Sequence, residues 1–292
     1  MSKREIAQEL ECNFNASGET VIHGDDLNNI LAHVSEPKHR TAFDRNYWIW
    51  KEPVPGNEYL ATADVARGDG SDYSVCQVLD LQTMEQVAEY QGKITPDRFA
   101  PLLYSIATEY NSALLTIENN SLGIGVLNRL EELEYNNIYY SVRSTHEYID
   151  QATAEATGGI AGFTMSMKTR PLVIGKFEEF VRNKLITINS MRLANEIKTF
   201  IWHNGRPQGM RGYNDDLVIA TSIGCWVRDT ALTVNKREAE YKRAMISGMG
   251  RTQSTLNTNI PGMQGYKPPS KPENTFLGAD GRVHDLSWII KG

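Results

Sequence analysis

Residues 59–92 read YLATADVARGDGSDYSVCQVLDLQTMEQVAEYQG, and this stretch decides the fold class. YLATADVA is an apolar run of strand length, and RGDGSD is a turn made of glycine and aspartate. YSVCQVLDL is a second strand, and QTMEQVAEYQG supplies a third after a short connection. Three strands on tight connections predict an antiparallel meander. Downstream the pattern changes. Thr95 and Pro96 open a helix through DRFAPLLYSIATEY, as N-cap and first helical residue. ALLTIE (113–118) is apolar up to its last residue, as in a central strand covered on both faces. SLGIGVLNRLEELEY (121–135) carries Leu122, Val126, Leu130 and Leu133 on one helical stripe, and NIYYSV (137–142) is a further strand. The pattern predicts an α/β domain: a mixed sheet with early antiparallel strands, covered by helices.

Outward from this centre the signals are weaker. Residues 150–170 contain three glycines and read as a loop or small hairpin. PLVIGKFEEFVRNKL (171–185) is a helix, ITINSMRLANEIKTFIWH (186–203) mixes a short strand with a helix, and NDDLVIATSIGCWVRD (214–229) is a helix that begins on two aspartates. At the N-terminus EIAQELE reads as a short helix, followed by two strand-like pieces about Gly18. From about residue 248 the chain is rich in Gly, Pro, Asn, Ser and Thr, the composition of a flexible tail. The expected organisation is a lead-in over 1–45, a main domain over 46–230, and a helix with a flexible tail over 231–292.

The 292 residues carry a formal charge of -6. Cys12, Cys76 and Cys225 are scattered, which fits reduced thiols better than a disulfide framework, and the six histidines show no zinc-ligand spacing. No apolar run approaches the ~18 residues of a membrane span, and the N-terminus has no signal-peptide core, so a cytoplasmic setting is expected. A net acidic chain is not a general polyanion binder. A local DNA track remains compatible with it, because acids that hold metal ions lower the total.

Three acidic positions stand out by placement. Asp64 lies within an apolar strand, where an ionised carboxylate is costly unless paired or bound to a cation. Glu118 ends the apolar strand ALLTIE, and Asp215 with Asp216 opens the last helix. Each has a plain alternative: a turn-capping aspartate, a strand-end glutamate, a helix N-cap. If the first and fourth strands are neighbours, Asp64 and Glu118 reach one end of the sheet and the helix adds a third carboxylate. Such hard oxygen ligands suit Mg²⁺ or Mn²⁺. Two ions about 4 Å apart would serve phosphodiester hydrolysis.

The runs YLATADVARGDGSDYSV, LLTIENNSLG and GYNDDLVIATSIG resemble the strand-one aspartate, strand-four glutamate and final acidic helix of tailed-phage terminase large-subunit nucleases, of the large-myophage type. QELECNFNASGETVI is similar to the segment where such proteins leave their packaging ATPase. The resemblance runs from about residue 8 to about residue 230. It implies an RNase H-like fold, an order of elements that the strand and helix pattern also fits. It implies an endonuclease that cuts concatemeric viral DNA into headful lengths, with Asp64, Glu118 and Asp216 as metal ligands and Asp215 as a substitute or addition. Asp72 matches a further acidic position of the motif and equally suits a turn. The implied partners are double-stranded DNA, the terminase ATPase domain, the portal and the small terminase subunit, in the host cytoplasm and with no membrane. The family's ATPase carries a Walker A motif. No GxxxxGK[ST] occurs in this sequence, so no ATP hydrolysis is expected of it.

For holding DNA, the candidate cations are Arg67, Arg143, Lys168, Arg170 and Lys176, each also readable as a solvated surface charge. Lys236, Arg237, Lys242 and Arg243, interleaved with glutamates, read as a charged helix face. Three alternatives stand beside the nuclease. One is an actin-like phosphotransferase or ATPase, whose phosphate turn DVARGDGSDYS loosely resembles. Another is an RNase H-like resolvase or integrase with the same acids. The last is a catalytically silent packaging-motor module.

Overall fold

A computed structural model describes residues 20–70, 72–141, 148–149, 154, 158–229, 275–277 and 283–285. Arg143, Lys236, Arg237, Lys242, Arg243, the EIAQELE segment and most of the C-terminal tail lie outside the described residues. The chain divides into two compact units, Met1–Arg237 and Glu238–Gly292. In the second, β12 (Thr275–Leu277) and β13 (Val283–Asp285) form an antiparallel hairpin.

The first unit is built on a six-stranded sheet. Its strands are β1 (His39–Thr41), β2 (Tyr47–Ile49), β3 (Tyr59–Asp64), β4 (Ser74–Asp80), β5 (Gln86–Gly92) and β6 (Leu114–Ile117), in the spatial order β1-β2-β5-β4-β3-β6. β3, β4 and β5 form the expected antiparallel meander. β6 runs parallel to β3 with Ala63 opposite Ile117. The crossover between them is α2 (Pro96–Glu109), and α3 (Ser121–Glu132) follows β6. This is the mixed, helix-covered sheet that the sequence pattern predicts.

Alternation along β3 and β6 assigns each residue to a face. Ala61, Ala63, Leu115 and Ile117 pack with Phe99, Leu103, Val126 and Leu130 of α2 and α3. Leu60 and Leu114 belong to the opposite core. That core is shared with α4 (Thr169–Arg182), α5 (Met191–Lys198) and α6, which spans residues 216–229. Asp64 and Glu118 have the parity of Leu60 and Leu114, so both project on the α6 side.

Residues 20–45, read from sequence as a lead-in, are packed onto this unit. Val21 donates a backbone hydrogen bond to Phe200, and α1 (Gly24–His33) buries Leu27 and Ile30 in the α4–α6 core. α1 is not among the elements expected from sequence, although Leu27, Ile30 and Leu31 are spaced as one helical face behind Asp25 and Asp26 in the first turn. Two smaller sheets also belong to the described residues of this unit. β7 (Tyr140–Ser141) lies between β8 (Tyr148–Ile149) and β9 (Ile160–Ala161), and β10 (Phe200–His203) pairs with β11 (Arg206–Gly209). Thr95 is the N-cap of α2 by position, but its side chain makes no capping bond to the helix and is instead hydrogen-bonded to Asp97.

Candidate metal centre and active site

The register of β3 with β6 sets the first two carboxylates side by side. The amide of Glu118 donates to the carbonyl of Ala63 at 3.0 Å, so Asp64 and Glu118 leave the sheet as neighbours. Tight backbone packing fixes the turn after Glu118. Asn120 caps α3 by accepting from the Gly123 amide, and a Cβ on Gly123 would lie 1.8 Å from the Glu118 carbonyl oxygen. Gly162, at φ +77°, closes the other side, where a Cβ would meet the Ile117 carbonyl at 2.5 Å.

α6 brings the remaining acids. It crosses β3 and β4 at close range: a Cβ on Gly224 would come within 2.7 Å of Leu79, and the Thr62 hydroxyl donates to the Ala220 carbonyl at 2.8 Å. Its first turn is held by a residue the sequence reading overlooked. Glu196 of α5 accepts from the amides of Leu217 (2.8 Å) and Val218 (3.2 Å) with one oxygen, and from the Gln91 side chain with the other. A carboxylate in another helix thus satisfies the orphan N–H groups of α6. The available signal was a glutamate on the apolar face of α5, between Leu193, Ala194 and Ile197.

Asp215 and Asp216 have different surroundings. Asp215 accepts from the Arg170 guanidinium at 2.6 Å and from the Gly209 amide at 3.2 Å. Asp216 accepts from the Tyr73 amide at 3.0 Å.

The electrostatics match this crowding. Burial, then the charge of Glu118, pushes the Asp64 carboxyl up to about 8, and Asp64 donates a hydrogen bond to Glu118. Glu118 is also raised by burial, against the pull of Arg170. Asp216 is pushed up to about 7 by burial, with Asp64, Asp215 and Asp72 adding repulsion. Glu196 is driven well above the carboxylate range by burial and by Asp216. Acids this close cannot all ionise without a counter-charge.

The structure therefore brings together Asp64, Glu118, Asp215 and Asp216, with Asp72 near enough to act on Asp216. As these side chains stand, no three His, Cys, Asp or Glu among the described residues are arranged to hold an ion. Asp64 and Glu118 are bonded to each other, and Asp215 is held by Arg170.

The cations picked from sequence are mostly engaged. Arg67 pairs with Asp69, Arg170 with Asp215, and Lys176 with Glu179 and Asp229. Lys168 is exposed at the start of α4.

This architecture has solved counterparts. The large terminase nuclease of thermophilic phage G20c with bound magnesium superposes with a TM-score of 0.54 at 14% identity, covering 71% of this chain and 96% of that one. The cobalt-bound form gives 0.54 at 15% identity over 71% and 96%, and a further structure of that nuclease gives 0.51 at 15% over 70% and 96%. The chain has the fold of a large terminase nuclease domain. It is an RNase H-like fold, as expected from sequence. No family profile matches the chain.

Proposed function

We propose that this chain is a metal-dependent endodeoxyribonuclease of a phage packaging terminase, cutting concatemeric double-stranded DNA at headful lengths. The observation that carries the reading is the convergence of Asp64, Glu118 and the Asp215–Asp216 pair, from three elements, on one edge of the sheet. The fold counterparts solved with magnesium and cobalt support it.

The donor set fits divalent cations. It is made of carboxylate oxygens, the ligands of Mg²⁺ and Mn²⁺. The burial and repulsion that raise Asp64 and Asp216 are what a bound cation would offset. Asp64, Glu118 and Asp216 would be the ligands, with Asp72 at the margin. Asp215 is the less suited of the adjacent pair, because Arg170 and the Gly209 amide already occupy it. Two divalent ions held there would supply Lewis acidity for in-line hydrolysis of a phosphodiester by water. The protein's own part is positional. The Ala63–Glu118 backbone bond and the glycine-packed turn fix Glu118, and the Glu196 and Tyr73 contacts fix Asp216. No side-chain nucleophile is required. The partners in such a role are the terminase ATPase domain, the portal and the small terminase subunit, in the host cytoplasm.

Plasmid cleavage tests the reading, with wild type beside Asp64→Asn in Mg²⁺, Mn²⁺ or EDTA and without ATP. Metal-dependent cutting that the substitution removes is expected. Cutting that survives in EDTA, or in the variant, overturns it.

A further inference from the structure

We infer that the DNA strand opposite the cut is held at the β5–β2 end of the same sheet edge, by Lys93, Arg98 and Arg45 around an open groove. This inference rests on the nuclease reading for the identity of the ligand as duplex DNA. The cations expected to hold phosphates are largely engaged by carboxylates of the domain itself. Arg45, Lys93 and Arg98 are exposed, and none of them forms an ion pair among the described residues. Lys93 and Arg98 line one groove of about 820 Å³, whose rim carries the fully exposed ring of Phe43, and Arg45 follows its lining residue Asp44 in the chain.

Strand direction puts this groove on the carboxylate edge. β3 ends at Asp64, β4 starts at Ser74, β5 ends at Gly92 opposite Ser74, and β2 starts at Tyr47 opposite Tyr90. Lys93 and the 42–46 loop therefore leave the sheet on the same side as Asp64. The link is direct: the Lys93 ammonium lies 5.5 Å from the Tyr73 ring, and the Tyr73 amide holds Asp216. Strands are spaced about 4.8 Å apart, so β5 and β2 lie roughly 10 and 14 Å from β3. Lys93 thus stands within the span of a duplex seated at Asp64, and the groove lies beside it on the α2 face of that edge.

Two acids also line the groove, and both are bound internally. Asp44 accepts from the Tyr90 hydroxyl and the Asn46 amide. Asp97 is drawn down by the Thr95 hydroxyl, by the first-turn amides of α2 and by the charge of Arg98, which a phosphate chain would share. The Lys93 ammonium and the Arg98 guanidinium are what the groove offers a phosphate chain, with Arg45 beside it, as non-specific contacts to the backbone.

The test is fluorescence anisotropy of a labelled duplex in EDTA, where cleavage is absent, over a salt series. Lys93→Ala/Arg98→Ala in the full chain is expected to bind roughly tenfold more weakly near physiological salt and to lower the log–log salt slope by about 1.8, two phosphate contacts' worth. Lys93→Glu should weaken binding further. Wild-type affinity and slope in the double variant overturn the inference, as does a wild type with no measurable duplex binding. Plasmid cleavage with Mn²⁺, wild type beside Asp64→Asn, separates the two readings. If the variant cuts like wild type, or if wild type does not cut with metal, the nuclease reading fails, whatever Lys93 and Arg98 contribute to binding.

Discussion

Asp64 and Glu118 leave adjacent parallel strands one residue beyond the paired Ala63 and Ile117, and the Asp64 carboxyl donates a hydrogen bond to Glu118. Two buried carboxyl groups in this position hold a proton between them, because the doubly ionised pair has no compensating charge. Asp64→Asn keeps the donor and removes the charge that resists folding. Cleavage should be lost, with a melting temperature in EDTA equal to or above that of wild type. A variant that is instead unfolded in EDTA, by circular dichroism, would make Asp64 a structural residue.

The same groups set a pH dependence. Asp64 and Asp216 have folded-state values of about 8 and about 7, against an unfolded value near 4. The folded, metal-free protein therefore binds more protons than the unfolded chain between these limits, and its stability falls as pH rises from about 4 to about 8. Above that window the two states carry the same charge at these sites and the curve flattens. Divalent cations displace these protons, so affinity for Mn²⁺ should rise with pH through the same window and approach tenfold per unit for each proton released. Melting temperatures across pH, with EDTA and with Mn²⁺, read both effects. A flat EDTA curve would mean that the carboxylates are ionised and separately compensated.

Arg170 is the cation that stands against this cluster. It bonds Asp215 at 2.6 Å and the Pro207 carbonyl at 3.1 Å, and its charge lowers Glu118. Arg170→Gln should cost about 1–2 kcal/mol in EDTA, the scale of a half-buried charged hydrogen bond. The stabilisation gained on adding Mn²⁺ should be larger than in wild type, because the cation then compensates Asp215 as well. An unchanged metal-induced shift in melting temperature would place Arg170 outside the electrostatics of the site.

Much of this was legible in the sequence because it depends on short-range pattern. The apolar runs, the glycine–aspartate turn and the carboxylates after Ala63 and Ile117 and at the start of the last helix follow from local alternation and spacing, whereas the β3–β6 pairing that joins them entered only as a condition. What escaped depends on contacts between distant residues. Arg170 lies far from Asp215 in sequence, and the β11 chain between them accepts one of its hydrogen bonds at Pro207. Glu196 reads as an ordinary helix glutamate until α6 is laid against α5. Lys176 resembled a DNA contact because its partners are an acid one turn away and Asp229 at the far end of α6. β9 has only two residues, too few for alternation to show, and it exists because β7 offers an edge.

Glu196 gives the sharpest test of how the site is assembled. Its carboxyl group holds two amides of the first turn of α6 and the side chain of Gln91 on β5, and so ties the helix bearing Asp216 to the sheet bearing Asp64. Glu196→Ala removes a helix cap and leaves buried donors without an acceptor, a loss of about 2 kcal/mol. A purely structural loss would lower the melting temperature and leave Mn²⁺ affinity in the folded protein unchanged. A loss of positioning would weaken that affinity as well, by calorimetry below the melting transition, because Asp216 would no longer be fixed relative to Asp64. Glu196→Gln retains one oxygen for the Leu217 and Val218 amides and should restore most of the affinity. Equal Mn²⁺ affinity in wild type, Glu196→Ala and Glu196→Gln would confine Glu196 to stability.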